Sequence, residues 1–218
     1  MRSPRTLCLG LMAGLLVTGC ASKLTQSSQY SGFLADYSQL QETTSASGAP
    51  VMRWVAPDYR NDKFVSVYVE KPVFYPPPAP NDQVSQAALD QIAGYLQQAM
   101  QRELAARMPV VDDPASDSLV LRSAITAVTT SAEGLKPYEV IPIALVVAAA
   151  GAAAGTRDRD TEIYVELEAL DGRNSQPQIR VVRKGHGLDL ENSSTQLRLQ
   201  DVQPVLDVWA RDAATFKP

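Results

Sequence analysis

The sequence predicts an α+β domain, a two-layer sandwich with a small mixed or mostly antiparallel sheet and two amphipathic helices on one face. Three observations carry this. Residues 161–170 alternate, with Ile163, Val165, Leu167 and Ala169 on one side and Glu162, Glu166 and Glu168 on the other. That is the period of a half-buried strand. Val84, Ala88, Ile92, Leu96, Ala99 and Leu104 recur every three or four residues, and so do Val202, Val205, Leu206, Trp209 and Ala213. Those are helices with one apolar stripe, and a helix cannot bury its own stripe, so both belong on a sheet.

The chain opens with a leader. Arg2 and Arg5 precede an apolar run, residues 7–16, that is too short to span a bilayer, and Val17-Thr18-Gly19-Cys20 follows. This order is a secretory signal. Its end resembles the bacterial lipobox, which implies cleavage before Cys20, diacylglycerol on its thiol and a further acyl chain on its freed amine. Two or more chains hold a protein on a membrane where one does so marginally. Ala21 stands where an Asp would resemble the inner-membrane retention signal, so the implied destination is the outer membrane, on its periplasmic side. The expected layout is a signal peptide at 1–19, a lipidated tether at 20–50 and one periplasmic domain at 51–218.

Composition removes several function classes. The 218 residues carry 20 Lys+Arg and 24 Asp+Glu, a net charge of −4, and Arg2 and Arg5 leave with the leader. That balance argues against nucleic acid as a partner. There are 2 cysteines; Cys8 lies in the leader and Cys20 is the lipid site. No thiol remains for a disulfide, a metal or a nucleophile. The 1 histidine, His186, gives no histidine-rich metal site, so no metal and no cofactor are expected.

Residues 21–29 are polar and read as flexible tether. Phe33, Leu34, Tyr37 and Leu40 then fall at near-helical spacing, either a cap on the domain or a contact for a partner near the membrane. Residues 42–50 read as a loop, 51–55 and 64–69 as strands, and Pro76 to Pro80 as a stiff connector. Asp82 is placed to cap the first long helix, which runs to about Arg107 before Pro109. Residues 112–117 form a turn. Residues 119–129 form a strand with Leu119, Leu121, Ile125 and Ala127 on one side.

Residues 140–156 are uncharged and include Ile143, Leu145, Val146, Val147, Gly151 and Gly155. Three readings stand for them: a buried apolar segment, a surface hairpin that touches the membrane or self-associates through its small residues, and a true span. Residues 178–184 pair back on 161–170 as a hairpin, where outward Arg180, Arg183 or Lys184 can meet the glutamate row. Gly185-His186-Gly187 reads as a loop or strand end with no orienting acid recognisable nearby. Asp201 caps the closing helix, and Pro204 sits in its first turn.

One stretch is specific. Ser31-Gly32-Phe33-Leu34-x-Asp36-Tyr37-Ser38-x-Leu40, directly after a lipobox, resembles the proteobacterial lipoprotein family catalogued as domain of unknown function 3313, with weaker support from residues 121–126 and 155–159. The resemblance implies location and domain type; it carries over no catalytic or ligand residue. The leading functional reading is a non-enzymatic envelope lipoprotein of adaptor or assembly type, bound to the bilayer through acylated Cys20, with an envelope protein or a second copy as candidate partner. The alternatives are an envelope hydrolase or small-ligand binder, and a protein that self-associates or contacts the membrane through residues 140–155.

Overall fold

A computed structural model describes residues 24–132, 159–192 and 194–217. Its centre is three long strands, β6 (Ser118–Ala132), β7 (Arg159–Asp171) and β8 (Pro177–His186), joined antiparallel in the order β8-β7-β6. Long antiparallel ladders fix their register, since a one-residue slip would turn the apolar set of a strand to the wrong face. On one side β2 (Pro50–Val55) pairs with β8, and β1 (Gln41–Thr44) pairs with β2. On the other, β3 (Ser66–Val69) lies parallel to β6 and carries β5 (Val110–Val111) on its far edge, while β4 (Val73–Phe74) also pairs with β6. The result is an unclosed mixed sheet of eight strands, larger than expected, in an α+β fold.

Helix α1 (Gln86–Leu104) is the crossover between the parallel strands β3 and β5. Ser85, not Asp82, is its N-cap, accepting from the Ala88 amide at 3.2 Å. Helix α2 (Leu199–Ala214) begins three residues earlier than the apolar pattern suggested. Asp201 therefore sits inside the first turn and reaches back to the Arg198 amide at 2.7 Å, and Pro204 lies past that turn. The helices pack on each other and on one sheet face, joined by Tyr95 and Asp207 at 2.7 Å. Ile92, Leu96, Val202, Leu206, Ile125 and Ile163 are fully enclosed between the layers.

Three sequence expectations change here. Residues 42–50 are not a loop: they form β1 and a tight turn that returns into β2. The 119–129 strand has a bulge at Thr126, which reverses its phase. Ile125 pairs with Val165 on the helix side, but Ala127 pairs with Tyr164 and so faces the opposite side, while Val128 takes the inward position against Ile163. Residues 24–29 are not free tether either, since Thr25 is buried and Ser27–Gln29 form a 3-10 turn against the sheet.

The two glycines around His186 have a packing role. A Cβ on Gly185 would overlap Val205 Cγ2 and stand 3.0 Å from the Trp209 ring, and one on Gly187 would overlap the Asp201 carbonyl oxygen. Helix α2 thus lies directly on the end of β8, an approach that only glycine permits. Leu96→Ala should lower the unfolding free energy by about 2–5 kcal/mol by leaving a cavity. Gly185→Ala should lower it by about 1–3 kcal/mol by lifting α2. Urea midpoints of the two variants check both values.

Candidate functional site

The sheet has two differently finished faces. On the face away from the helices, β7 presents Glu162, Tyr164, Glu166 and Glu168, and β8 presents Arg180, Val182, Lys184 and His186. The glutamates were expected to point outward into water. They do point away from the helices, but Glu166 has no exposure, and Glu162 and Glu168 are buried. Residues 24–40 lie across them as a strap.

A buried carboxylate needs donors for both oxygens. Glu166 Oε1 accepts from the Ser31 amide at 2.7 Å; Oε2 accepts from the Tyr37 hydroxyl at 2.6 Å and the Leu34 amide at 3.4 Å. The Tyr37 oxygen in turn accepts from the Gly32 amide at 2.8 Å. Gly32 sits at φ +90°, a left-handed conformation that lets this tight loop aim its amides inward. Leu34 is buried beneath the strap, Tyr30 stacks on Tyr37 at 4.6 Å, and the Arg122 guanidinium lies over Phe33 at 5.1 Å. Leu40 is half-buried where the strap enters β1. Burial and the bond to Glu166 push the Tyr37 hydroxyl up to about 12, and burial with the Glu166 charge raises Tyr30 as well.

Two flanking groups complete this face. Arg180 bridges Glu168 at 3.0 Å and Asp36 of the strap at 3.3 Å, and stacks on Trp54. Glu162 accepts from Lys184 at 3.2 Å and from Tyr164, whose own oxygen accepts from the Gln29 amide group. His186 Nδ1 lies 3.5 Å from the same Glu162 oxygen, so an acid does stand beside the histidine. With Glu162 already committed to Lys184 and Tyr164 and the imidazole half-exposed, this arrangement closes a strand end and presents no aligned nucleophile. Arg183 does not join the glutamate row. As its odd position requires, it faces the helices and bonds Asp212 of α2 at 2.9 Å.

The helix face holds a cavity of about 830 Å³ under the C-terminal ends of α1 and α2. Its floor is aliphatic, including Val67, Leu119, Leu121, Val165, Leu167 and Val181. Leu167 is only partly buried although β7 is a central strand, and it lines this cavity. Arg53, Arg107, Arg183 and Lys217 line the cavity with the single carboxylate Asp212 among the described lining residues. Asp212 also accepts from the Ser47 amide and hydroxyl at 2.7 and 2.9 Å, which ties the β1–β2 turn to α2.

Residues 29–213 match the family described as "Protein of unknown function (DUF3313)". The chain belongs to this family. It is 45% identical over 217 residues to the "Uncharacterized lipoprotein YdcL" of Escherichia coli K12, covering 99% of this chain and 98% of that one, and equally to the O157:H7 protein of the same name. Among solved structures, a PelC dodecamer from Paraburkholderia phytofirmans aligns with TM-score 0.40 at 9% identity, over 74% of this chain and 96% of that one. Lipoprotein GNA1162 from Neisseria meningitidis aligns with TM-score 0.34 at 13% identity, over 69% and 99%.

The DUF3313 match begins at Gln29, so residues 29–40 of the strap lie within the family region. Of the residues singled out from sequence, Phe33, Leu34, Tyr37 and Leu40 are brought together on the sheet. Cys20 and Ile143, Leu145, Val146, Val147, Gly151 and Gly155 lie outside the described residues. Arg180 and Lys184 meet the glutamate row as the sequence suggested, but sequence reasoning missed the burial of Glu166 and the cavity residues Arg53 and Asp212. Among the described residues no group of three or more His, Cys, Asp or Glu could hold a metal, and no helix is long and apolar enough to cross a membrane.

Because Tyr37 ionises at about 12 when folded and about 10 when unfolded, its contribution to stability is complete below pH 10 and lost as pH rises from 10 to 12. Tyr37→Phe should cost about 1.5–3 kcal/mol at neutral pH, the worth of a bond to a charged group. It should also flatten the stability decline between pH 10 and 12. Denaturant titrations of both proteins at stepped pH check this.

Proposed function

We propose that the protein is a non-enzymatic, membrane-anchored lipoprotein of the bacterial envelope, of adaptor or assembly type, lipidated at Cys20 and held on the periplasmic side of the outer membrane. The observation that carries this reading is the strap. The described residues begin at Leu24, four positions after Cys20, a reach of at most about 14 Å. The anchor therefore holds the sheet and its helices close to the bilayer instead of on a long leash. Two further observations support it: the lipobox-like stretch, and a likeness to a lipoprotein that covers 99% of the chain, leader included.

A second reading, a small-ligand binder, is favoured by the open cavity on the helix face. A volume of about 830 Å³ falls within the range of ligand sites, roughly 300–1,000 Å³.

Cys20→Ser should abolish incorporation of labelled palmitate and move the protein out of the washed outer-membrane fraction. Ala21→Asp should move it to the inner membrane on a density gradient. Unchanged labelling and fractionation of Cys20→Ser would overturn the anchor, and a wild-type protein banding with the inner membrane would overturn the outer-membrane assignment.

A further inference from the structure

We propose that the cavity between the sheet and the C-terminal ends of α1 and α2 binds a single-chain amphiphile with an anionic head, its acyl chain on the aliphatic floor and its carboxylate or phosphate on Arg53 and Arg183. This rests on the ligand-binding reading and names the class of ligand.

The floor excludes most other ligands. An open pocket with an aliphatic floor holds water in contact with apolar surface, and a ligand with apolar surface of its own displaces that water favourably. Here Leu167 and Val181, on adjacent central strands, are only partly buried and line the cavity beside the buried Val165. The aliphatic floor offers no donors or acceptors for a sugar or a nucleobase, whereas each methylene buried on it contributes about 0.8 kcal/mol.

The rim supplies the second half of the recognition. A chain with a net charge of −4 places four cations and one carboxylate around this cavity. Asp212 is already shared among Arg183, the Ser47 amide and the Ser47 hydroxyl. Among the described residues the Arg107 guanidinium bonds the backbone oxygens of Ala214 and Phe216. Arg53 has a single long contact with the Thr43 hydroxyl, 3.5 Å, and lies over the Phe216 ring at 5.1 Å, with no carboxylate partner among the described residues. Arg183 is over nine-tenths buried, and its Nε hydrogen has no acceptor. A buried charged group with an unmet donor is costly, and an incoming anion removes that cost. Burial holds both guanidinium groups below their ordinary value, as expected for cations short of solvation. Arginine also suits both candidate heads, since its planar fork pairs with carboxylate and phosphate alike.

Trp209 provides the readout, because it lines the cavity and lies 5.1 Å beneath the Arg183 guanidinium. The full acylated chain carrying Trp54→Phe is placed in phosphatidylcholine vesicles, and Trp209 fluorescence is followed as dibromostearate or its methyl ester is added. The acid should quench saturably, at one per chain, with apparent affinity at least tenfold above that of the ester. Arg53→Gln, alone and with Arg183→Gln, should reduce that preference toward parity; the single variant keeps the test valid where the double one fails to fold. Leu167→Phe should abolish saturable quenching. Dodecyl phosphate and laurate, competed against the acid, distinguish phosphate from carboxylate heads by which displaces it at lower concentration. Equal saturable quenching by acid and ester would overturn the anionic head while leaving a cavity that binds apolar ligands. Non-saturable quenching unaffected by Leu167→Phe would overturn the ligand-binding reading itself.

Discussion

The carboxylate of Glu166 constrains more of this structure than any other group. It is fully buried in the middle of the central strand, on the face that the helices leave bare. A carboxylate in that position must find donors or give up its charge, and the neighbouring strands offer Ala124 and Val182 across from it. The donors come instead from residues about 130 positions earlier in the chain, two backbone amides and the Tyr37 hydroxyl. Each element of the Ser31–Leu40 stretch follows from that requirement. Gly32 permits the turn, Leu34 fills the space beneath it, Tyr37 reaches the carboxylate, and Asp36 pairs with Arg180 at the far end. A segment that reads as tether is thereby made part of the domain.

The two faces of the sheet are finished by opposite means. One is covered by polar and charged groups whose partners are nearly all met. The other is covered by apolar helix stripes that meet at Ile92, Leu96, Leu206 and Trp209 but stop short of the aliphatic rows on β6, β7 and β8. The alternation of β8 serves both. Arg180 and Lys184 neutralise the strap face, and Arg183, between them in sequence, is carried to the helix face and the cavity. Cross-strand pairs that would be worth a few tenths of a kcal/mol in water become structural commitments here, because removing one partner strands a buried charge.

What the sequence made legible was whatever depends on local period. The strands around Ile163 and Ile179 and the stripes of α1 and α2 follow from spacing alone. The edge strand Gln41–Thr44 was not legible, since four polar residues at a sheet margin carry no alternation and their pairing is fixed by β2. The bulge at Thr126 was hidden because Ala127 and Val128 are both apolar, so either phase looks acceptable. Alternation also told which way Glu166 points without telling what covers it; the density of aromatic residues after a polar tether, with Gly32 among them, was the available signal. The position of Arg183 was legible from parity and was misassigned only by grouping it with its neighbours. The cavity had no sequence signature, because it arises from where the helices end relative to the sheet.

Strap and cavity are joined by one short piece of chain. Leu40 leads directly into β1, β1 ends at Thr44, and the turn that follows lines the cavity and donates to Asp212 through Ser47. Asp212 is also the counter-charge of Arg183. Residues 24–46 therefore run, within about twenty positions, from the cover of one sheet face to the wall of the other. An unclosed sheet has two edges and two faces to protect. Here a single N-terminal segment covers one face, pairs one edge and closes one side of the cavity. The cover of Glu166 therefore cannot be lost without also loosening the edge strand and the cavity wall that follow it in the chain.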